Sequence, residues 1–464
     1  MTLPHAPERD ELQPDDAVAA GSPDASPATP SSPSPSPATG SLNTRQMRRI
    51  LGSSFLGSAI EYYDFMLYAT AASLVFDKVF FANLGPGFAL FASFATLAVG
   101  YIARPLGGIV FGHFGDRVGR KKVLVLSMMI MGAGTIAIGL LPTTAQVGMA
   151  APVALVVLRV IQGIAVGGEW GGAALMAIEH APQERRGFAA AFANAGGPAG
   201  AVLGTLALSL FAAVSGSGFL VWGWRIPFLL SAVLIVVGLV IRLQVSETPS
   251  FRRLEAAGAR RRIPLLDVLR TSPRALLIGL VATTAFYVCQ AMTTVWGVSL
   301  AVGSGADKNG VLNIKAVAAV LTLVVCFYSA RLSDRIGRRT VLGGAAVLGI
   351  VLAWPIIALM NNGTLWGFAI AVILGNGVVQ GFLYGPIAAF VSEQFPSRNR
   401  YTGASLSYQM ASMLGAGFTP MIVTGLMLPA WGGLWLVALF WVLILAAAFV
   451  AVRLAPEGTR QRID

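Results

Sequence analysis

The sequence predicts an all-α integral membrane protein: twelve transmembrane helices in two six-helix halves repeated in parallel. Three observations predict it. Hydrophobic residues make up 55% of the 464-residue chain and charged residues 12%, too apolar a balance for a soluble protein of this length. Apolar runs of about twenty residues, each able to cross a bilayer as a helix, alternate with short polar loops. The loops and small-residue patterns also repeat. Gly112-His113-Phe114-Gly115-Asp116-Arg117-Val118-Gly119-Arg120 returns 218 residues later as Ala330-Arg331-Leu332-Ser333-Asp334-Arg335-Ile336-Gly337-Arg338. Glu179-x-x-Pro182-x-x-x-Arg186 returns as Glu393-x-x-Pro396-x-x-x-Arg400, and the ladder Gly163/Gly167/Gly171 as Gly377/Gly381/Gly385, both at an offset of 214.

The apolar runs fall at 50–76, 87–111, 123–141, 150–177, 188–214, 224–244, 274–301, 311–330, 340–360, 365–392, 401–427 and 431–453. Before them lies a Pro/Ser-rich polar tail, residues 1–44, with no apolar core for a secretory signal. Its composition predicts disorder. The first six runs form one half (45–244) and the last six the other (274–453). An Arg-rich linker (245–273) with a short surface helix joins them, and residues 454–464 form a short tail.

The net charge is +12. Its placement argues against nucleic acid. Loops 2–3, 4–5, 6–7, 8–9 and 10–11 hold about nineteen Lys/Arg, against three lysines (Lys78, Lys308 and Lys315) in the opposite loops, which is the positive-inside pattern with both termini cytoplasmic. Cys289 and Cys326 fall inside predicted helices and imply neither disulfide nor metal site. The three histidines are scattered and are read as solvated or capping groups.

Charges inside a bilayer are costly and mark candidate function. The first half places Glu61 and Asp64 in helix 1, Arg104 in helix 2, and Arg159 and Glu169 in helix 4. At an offset of 214 Arg159 is matched by Ile373 and Glu169 by Leu383, and the second half is read as holding no ionisable group at comparable depth. Glu61 and Asp64 are three residues apart, hence on one helical face. At 1.5 Å per residue Asp64 and Arg159 reach similar depth, roughly 21 and 27 Å from the inner helix ends, so a direct pair is expected. Protonating the Asp would break that pair and free the Arg for a substrate carboxylate. Glu169 lies elsewhere around helix 4, with Arg104 as its candidate partner.

Neutral polar groups are offered by the second half: Tyr287 and Gln290 in helix 7, Asn376, Gln380 and Tyr384 in helix 10, Tyr408 and Gln409 in helix 11. They would orient a polar solute by hydrogen bonds or tie helices together. In the loops, Asp116 and Asp334 are placed to cap neighbouring helix N-termini. Arg117, Arg120, Arg335 and Arg338 are placed to pair with Glu179 and Glu393, with Arg186 and Arg400 beside them. Such a network would hold the cytoplasmic side closed. The glycine ladders read as close-packing surfaces, and Gly196-Gly197-Pro198 and Gly385-Pro386 as kinks.

The two Asp-Arg-x-Gly-Arg loops resemble those of the major facilitator superfamily. Gly57-x-x-x-Glu61-Tyr62-Tyr63-Asp64-Phe65, Arg104-Pro105-Leu106-Gly107-Gly108, Arg159-x-x-Gln162-Gly163, Gly167-Gly168-Glu169-Trp170-Gly171-Gly172, Trp224-Arg225-Ile226-Pro227-Phe228 and Tyr401-Thr402-Gly403-Ala404-Ser405 together resemble its metabolite:proton symporter family. That family includes shikimate, α-ketoglutarate, citrate and proline/betaine carriers. Ala330, where the second loop has lost the lead glycine, and Ala193–Gly200, only partly like the Gly-Pro motif of drug/proton antiporters, depart from related patterns. The resemblance implies the major facilitator fold and no enzymatic activity. It implies proton-coupled symport of a small polar metabolite by alternating access, with Asp64 and Arg159 as the coupling pair and Glu61 as a second proton site. Arg104 and Arg159 favour an organic anion; a zwitterionic solute such as proline or betaine is the alternative, and a transporter-like membrane sensor a further one. Implied partners are the solute, protons and the lipid bilayer of the cell inner membrane, with no cofactor beyond the proton, no metal, no nucleic acid and a monomeric chain.

Overall fold

Lipid offers a backbone no hydrogen-bond partners, so each apolar run must satisfy its own N–H and C=O groups as a helix. The computed structural model of the chain bears this out. It describes residues 44–118, 120–167, 178, 183–244, 264–396, 400–428 and 433–458. The predicted tail 1–44 and most of the linker 245–273 therefore lie outside the described residues, as does the end of the fourth run.

The described first half comprises α1 (Thr44–Leu74), α2 (Pro86–Val118), α3 (Arg120–Leu140), α4 (Ala150–Val166), α5 (Arg186–Ser215) and α6 (Arg225–Gln244). A two-turn helix, Pro264–Thr271, precedes the second half. There follow α7 (Pro273–Gly303), α8 (Lys308–Ile336), α9 (Arg338–Met360) and α10 (Leu365–Glu393). The bundle ends with α11 (Arg400–Ser412, continued through Met413–Gly417 and Thr419–Leu426) and α12 (Leu434–Leu454). The fold is the all-α, twelve-helix membrane bundle the sequence predicts, and the chain is a multi-pass membrane protein.

Local chemistry sets the ends. Asp307 caps α8 by accepting from the Gly310 N–H at 2.6 Å, and Thr364 caps α10 by accepting from Gly367 N–H at 3.0 Å. Gly337, at φ 97°, makes the break between α8 and α9 that other residues adopt only with strain.

One expectation is corrected here. The Asp307 cap starts α8 at Lys308, so Lys315 is two turns inside the helix instead of in a loop. It is 2% exposed. The second half therefore does hold a buried ionisable group.

Small residues let the helices approach. A Cβ on Gly163 would sit 2.1 Å from the Gly100 carbonyl oxygen, and one on Gly385 would sit 2.3 Å from that of Cys326. The ladders are thus α2–α4 and α8–α10 contacts. Helix α5 packs along α1 in its own half and along α8 in the other. Pro198 and Pro386 lie within α5 and α10, which continue through them. The Trp224–Phe228 stretch is architectural. Trp224 meets Phe76, Phe80 and Phe228 edge-on, Arg225 donates to the Gly139 and Leu141 carbonyls at the end of α3, and Tyr63 donates to the Pro227 carbonyl at 2.7 Å.

Candidate functional site: a charged and amide-rich seam between the halves

Two arginines meet over one ring. The Arg104 guanidinium lies 3.9 Å from the Phe65 ring centre and 4.3 Å from that of Tyr101. That of Arg159 lies 3.8 Å from the Tyr68 ring and 5.1 Å from Phe65. Gly100 makes the room, since a Cβ there would sit 2.8 Å from Arg159 Nε. Both arginines are buried. Arg159 Nη1 donates to Gln162 Oε1 at 3.1 Å, and Arg104 Nη1 reaches Ser412 of the other half at 3.5 Å. Arg104 Nε, Arg159 Nε and Arg159 Nη2 have no hydrogen-bond partner among the described residues. Cation–π contact offsets part of the burial cost, but unpaired donors on buried cations remain expensive.

The expected direct Asp64–Arg159 pair is absent from this conformation. Asp64 turns toward α6, where it accepts from Ser231 Oγ at 3.0 Å. Gln162 Nε2 donates to Thr135 Oγ1 at 2.7 Å while its carbonyl serves Arg159. Gln162 therefore ties the guanidinium to Thr135 of α3, whose own hydroxyl donates to the Met131 carbonyl. The physical reason for the missing direct pair is that the aromatic faces of Phe65 and Tyr68, on α1 beside Asp64, hold the guanidinium by stacking. Glu61 is buried on the same helix. Glu169 lies outside the described residues, so Arg104 is described by its stacking and its Ser412 contact alone.

The second half brings most of its predicted polar groups together. Asn376 donates to Gln380 Oε1, and Thr322 Oγ1 lies 3.0 Å from Asn376 Oδ1. Gln290 Oε1 is buried without a partner among the described residues. Gln290 immediately precedes a π-helical turn, Ala291–Trp296, and Asn376 and Gln380 lie in another, Ile373–Gln380. Such turns are frequent where helices carry sites. Gln290, Asn376 and Gln380 line one cavity with Thr294, Thr322 and Lys315. Gln409 instead crosses to the first half, donating to the Gly167 carbonyl at 3.3 Å.

Tyrosines form a second cluster across the seam. Tyr62 Oη lies 2.9 Å from Tyr408 Oη and accepts from Tyr384 Oη at 3.3 Å. Tyr287 packs edge-on against Tyr408 at 5.3 Å, and Phe286 stacks on Tyr384 at 4.2 Å. Sequence reasoning singled out Tyr287, Tyr384 and Tyr408 but missed their hub, Tyr62, although it stands between Glu61 and Asp64.

At the end of the bundle where α1 begins and α12 ends, Asp334 accepts from the N–H groups of Gly187 and Phe188 at 3.0 Å each. A second-half carboxylate thereby caps first-half helix α5. Arg338 bridges Asp334 at 2.6 Å and Glu393 at 3.3 Å. Arg400 Nε donates to the carbonyls of Ser392 and Phe395, and Glu457, not anticipated, accepts from the N–H groups of Arg338 and Arg339. Arg335 is exposed and Arg186 half-buried. Glu179 and the side chains of Asp116, Arg117 and Arg120 lie outside the described residues.

A twelve-helix bundle whose halves meet on a buried seam of cations, amides and tyrosines has the build of a membrane solute carrier. The chain belongs to the Major Facilitator Superfamily, whose pattern matches residues 54–420. It is 39% identical over 420 residues to the inner membrane metabolite transport protein YhjE of Escherichia coli (strain K12), covering 86% of this chain and 94% of that protein. It is 37% identical over 399 residues to the shikimate transporter of the same organism, covering 84% and 90%. To the E. coli proline/betaine transporter it is 33% identical over 409 residues, covering 84% and 81%. Its fold is similar to a partially occluded inward-open structure of the xylose transporter XylE from E. coli, with a TM-score of 0.70, 17% identity, and coverage of 90% of this chain and 100% of that one. The protein is a transporter of metabolite-carrier type.

Proposed function

We propose that this transporter is a proton-coupled symporter that takes up a small organic anion, shikimate-like or another carboxylate, by alternating access. The observation that carries the reading is the pair of buried guanidiniums at Phe65 with three donors unsatisfied. A carboxylate is their natural complement, because a planar fork gives two parallel charged hydrogen bonds. Asp64 is the coupling residue. Asp64 and Arg159 are both buried and interact through space, so loss of the carboxylate charge on protonation would alter how Arg159 is held. The loop network of Asp334, Arg338 and Glu393 acts as the cytoplasmic gate, together with Asp116, Arg117, Arg120 and Glu179. The carrier works as a monomer in the inner membrane with both termini cytoplasmic, and needs no cofactor but the proton. Its likeness to a shikimate transporter and the charge pattern of its loops support this reading.

A second reading has its own support. The tyrosine cluster offers ring faces of the kind that take a quaternary ammonium, and one relative is a proline/betaine transporter. Uptake into proteoliposomes under an imposed pH gradient decides between them. Labelled shikimate and 2-oxoglutarate accumulating ahead of betaine supports the anion reading, and betaine ahead of both reverses it. Accumulation indifferent to the gradient refutes proton coupling.

A further inference from the structure

Lys315 stands apart from the charges of the first half. It lies on α8, roughly 10 Å along the helix from Lys308 at 1.5 Å per residue. It is 2% exposed, and its one hydrogen bond among the described residues is to a neutral group of the other half, Thr70 Oγ1, at 2.5 Å. Thr70 Oγ1 itself donates to the Met66 carbonyl. No carboxylate lies within ion-pairing distance of Lys315 among the described residues. An ammonium has three N–H donors, so a single hydroxyl leaves it under-satisfied. A buried lysine without a counter-ion is costly to keep, and intramembrane cations that face a cavity mark ligand pathways. Lys315 does face one. It shares its cavity with Gln290, Thr294, Thr322, Asn376 and Gln380, and Gln290 Oε1 there is an unpartnered acceptor, a seat for a hydroxyl of the solute.

We infer that Lys315, with the amides of Gln290, Asn376 and Gln380, forms a carboxylate subsite in the second half that holds an anionic group of the transported solute. The inference rests on the carrier reading above and deepens it. The first-half arginines are not alone in recognising the solute: an ammonium and three amides receive it from the other side of the seam. On arrival the carboxylate replaces Thr70 as the partner of the ammonium. The amide N–H groups then donate to the carboxylate, which accepts about four hydrogen bonds, and the free Gln290 Oε1 accepts from a solute hydroxyl.

The test uses the full-length protein in proteoliposomes, with labelled shikimate, 2-oxoglutarate and proline as probes and the uncharged methyl ester of shikimate as competitor. Lys315→Met keeps the length of the stem and removes the charge; replacing buried charge by an apolar isostere preserves folding in well-studied cases, and a melting curve checks it. Thr70→Val removes the hydroxyl and leaves the ammonium. The expected result is a KM for the carried carboxylate at least tenfold higher in Lys315→Met and changed by less than threefold in Thr70→Val. Lys315→Met should also lose most of its preference for shikimate over the ester. Equal losses in the two variants would assign Lys315 to bracing α1 against α8 and overturn the subsite. Uptake unchanged in Lys315→Met overturns the subsite and leaves the carrier reading standing. Wild-type vesicles that take up none of the carboxylates overturn both.

Discussion

The two halves share a scaffold and divide the chemistry. Both carry a glycine ladder packed against a neighbouring backbone and both carry the Asp-Arg-x-Gly-Arg loop. On the seam they diverge. The first half presents two carboxylates and two guanidiniums, Glu61, Asp64, Arg104 and Arg159, all buried. The second presents amides, tyrosines and one ammonium. The second half packs as closely without those charges, so they are not needed to build a six-helix unit. A charge that packing does not require, and that burial penalises, is kept for another purpose.

Removing the Asp64 carboxylate should break this division most completely. Asp64→Asn is expected to bring pH-driven accumulation down to the level of empty vesicles while counterflow exchange persists, because exchange requires no net proton release. Uphill accumulation retained by this variant would remove Asp64 from coupling.

The next effect sharpens the contrast between guanidinium and ammonium across the seam. Arg159→Lys is expected to lower uptake about a hundredfold, nearly as far as Arg159→Ala, since losing charged hydrogen bonds costs ~3 kcal/mol and each 1.4 kcal/mol is tenfold. A lysine that restores uptake would show that simple positive charge suffices at this position.

At the loops the comparison concerns which half holds which. Asp334→Asn weakens the cap on α5 and the bridge to Arg338, and one such contact of ~1–3 kcal/mol shifts a balanced equilibrium about tenfold. Cysteines placed at the mouth where α1 begins and α12 ends should label faster with a water-soluble thiol reagent, and those at the opposite mouth slower. Unchanged labelling at both mouths would mark the loop as a topology signal only.

The smallest effect is expected at the tyrosine hub. Tyr62→Phe removes the hydroxyl shared with Tyr384 and Tyr408 and keeps the ring, worth ~0.5–1.5 kcal/mol. A KM raised about three- to tenfold, with unchanged melting temperature, would place the hub on the solute path. A lowered melting temperature with unchanged KM would make it a tie between halves.

What could be read from the sequence follows from what is local in it. The spans were legible because lipid imposes both length and composition on every one of them. Asp334, Arg338 and Glu393 were legible because the repeat flagged them and because loop carboxylates have few targets other than helix ends and arginines. Lys315 was counted with the loop lysines although the run 311–330 already held it, because it stood only one turn from the start of that run; the Asp307 cap begins the helix three residues earlier and places Lys315 two turns inside. The partners of Asp64 and Arg159 were not legible at all. Ser231, Thr135 and Gln162 are three hydroxyl or amide groups among many, brought to Asp64 and Arg159 by packing between helices far apart in the chain. The direct Asp64–Arg159 pair failed for a related reason: equal depth does not fix azimuth, and stacking on Phe65 and Tyr68 claimed the guanidinium first.

The Asp334 contact has a consequence for how the halves can be exchanged between carriers. It reads the main chain of α5, through the N–H groups of Gly187 and Phe188, and so places little demand on side-chain identity in the opposing half. A graft of α1–α6 from a distant relative would still find its docking point, provided the helix begins in the same register. At this contact the side-chain constraint falls on Gly187, where a Cβ would sit 2.5 Å from Arg338 Nη1 and 2.7 Å from Asp334 Oδ1. One hydrogen atom in place of a methyl group is what lets a carboxylate of one half read the main chain of the other.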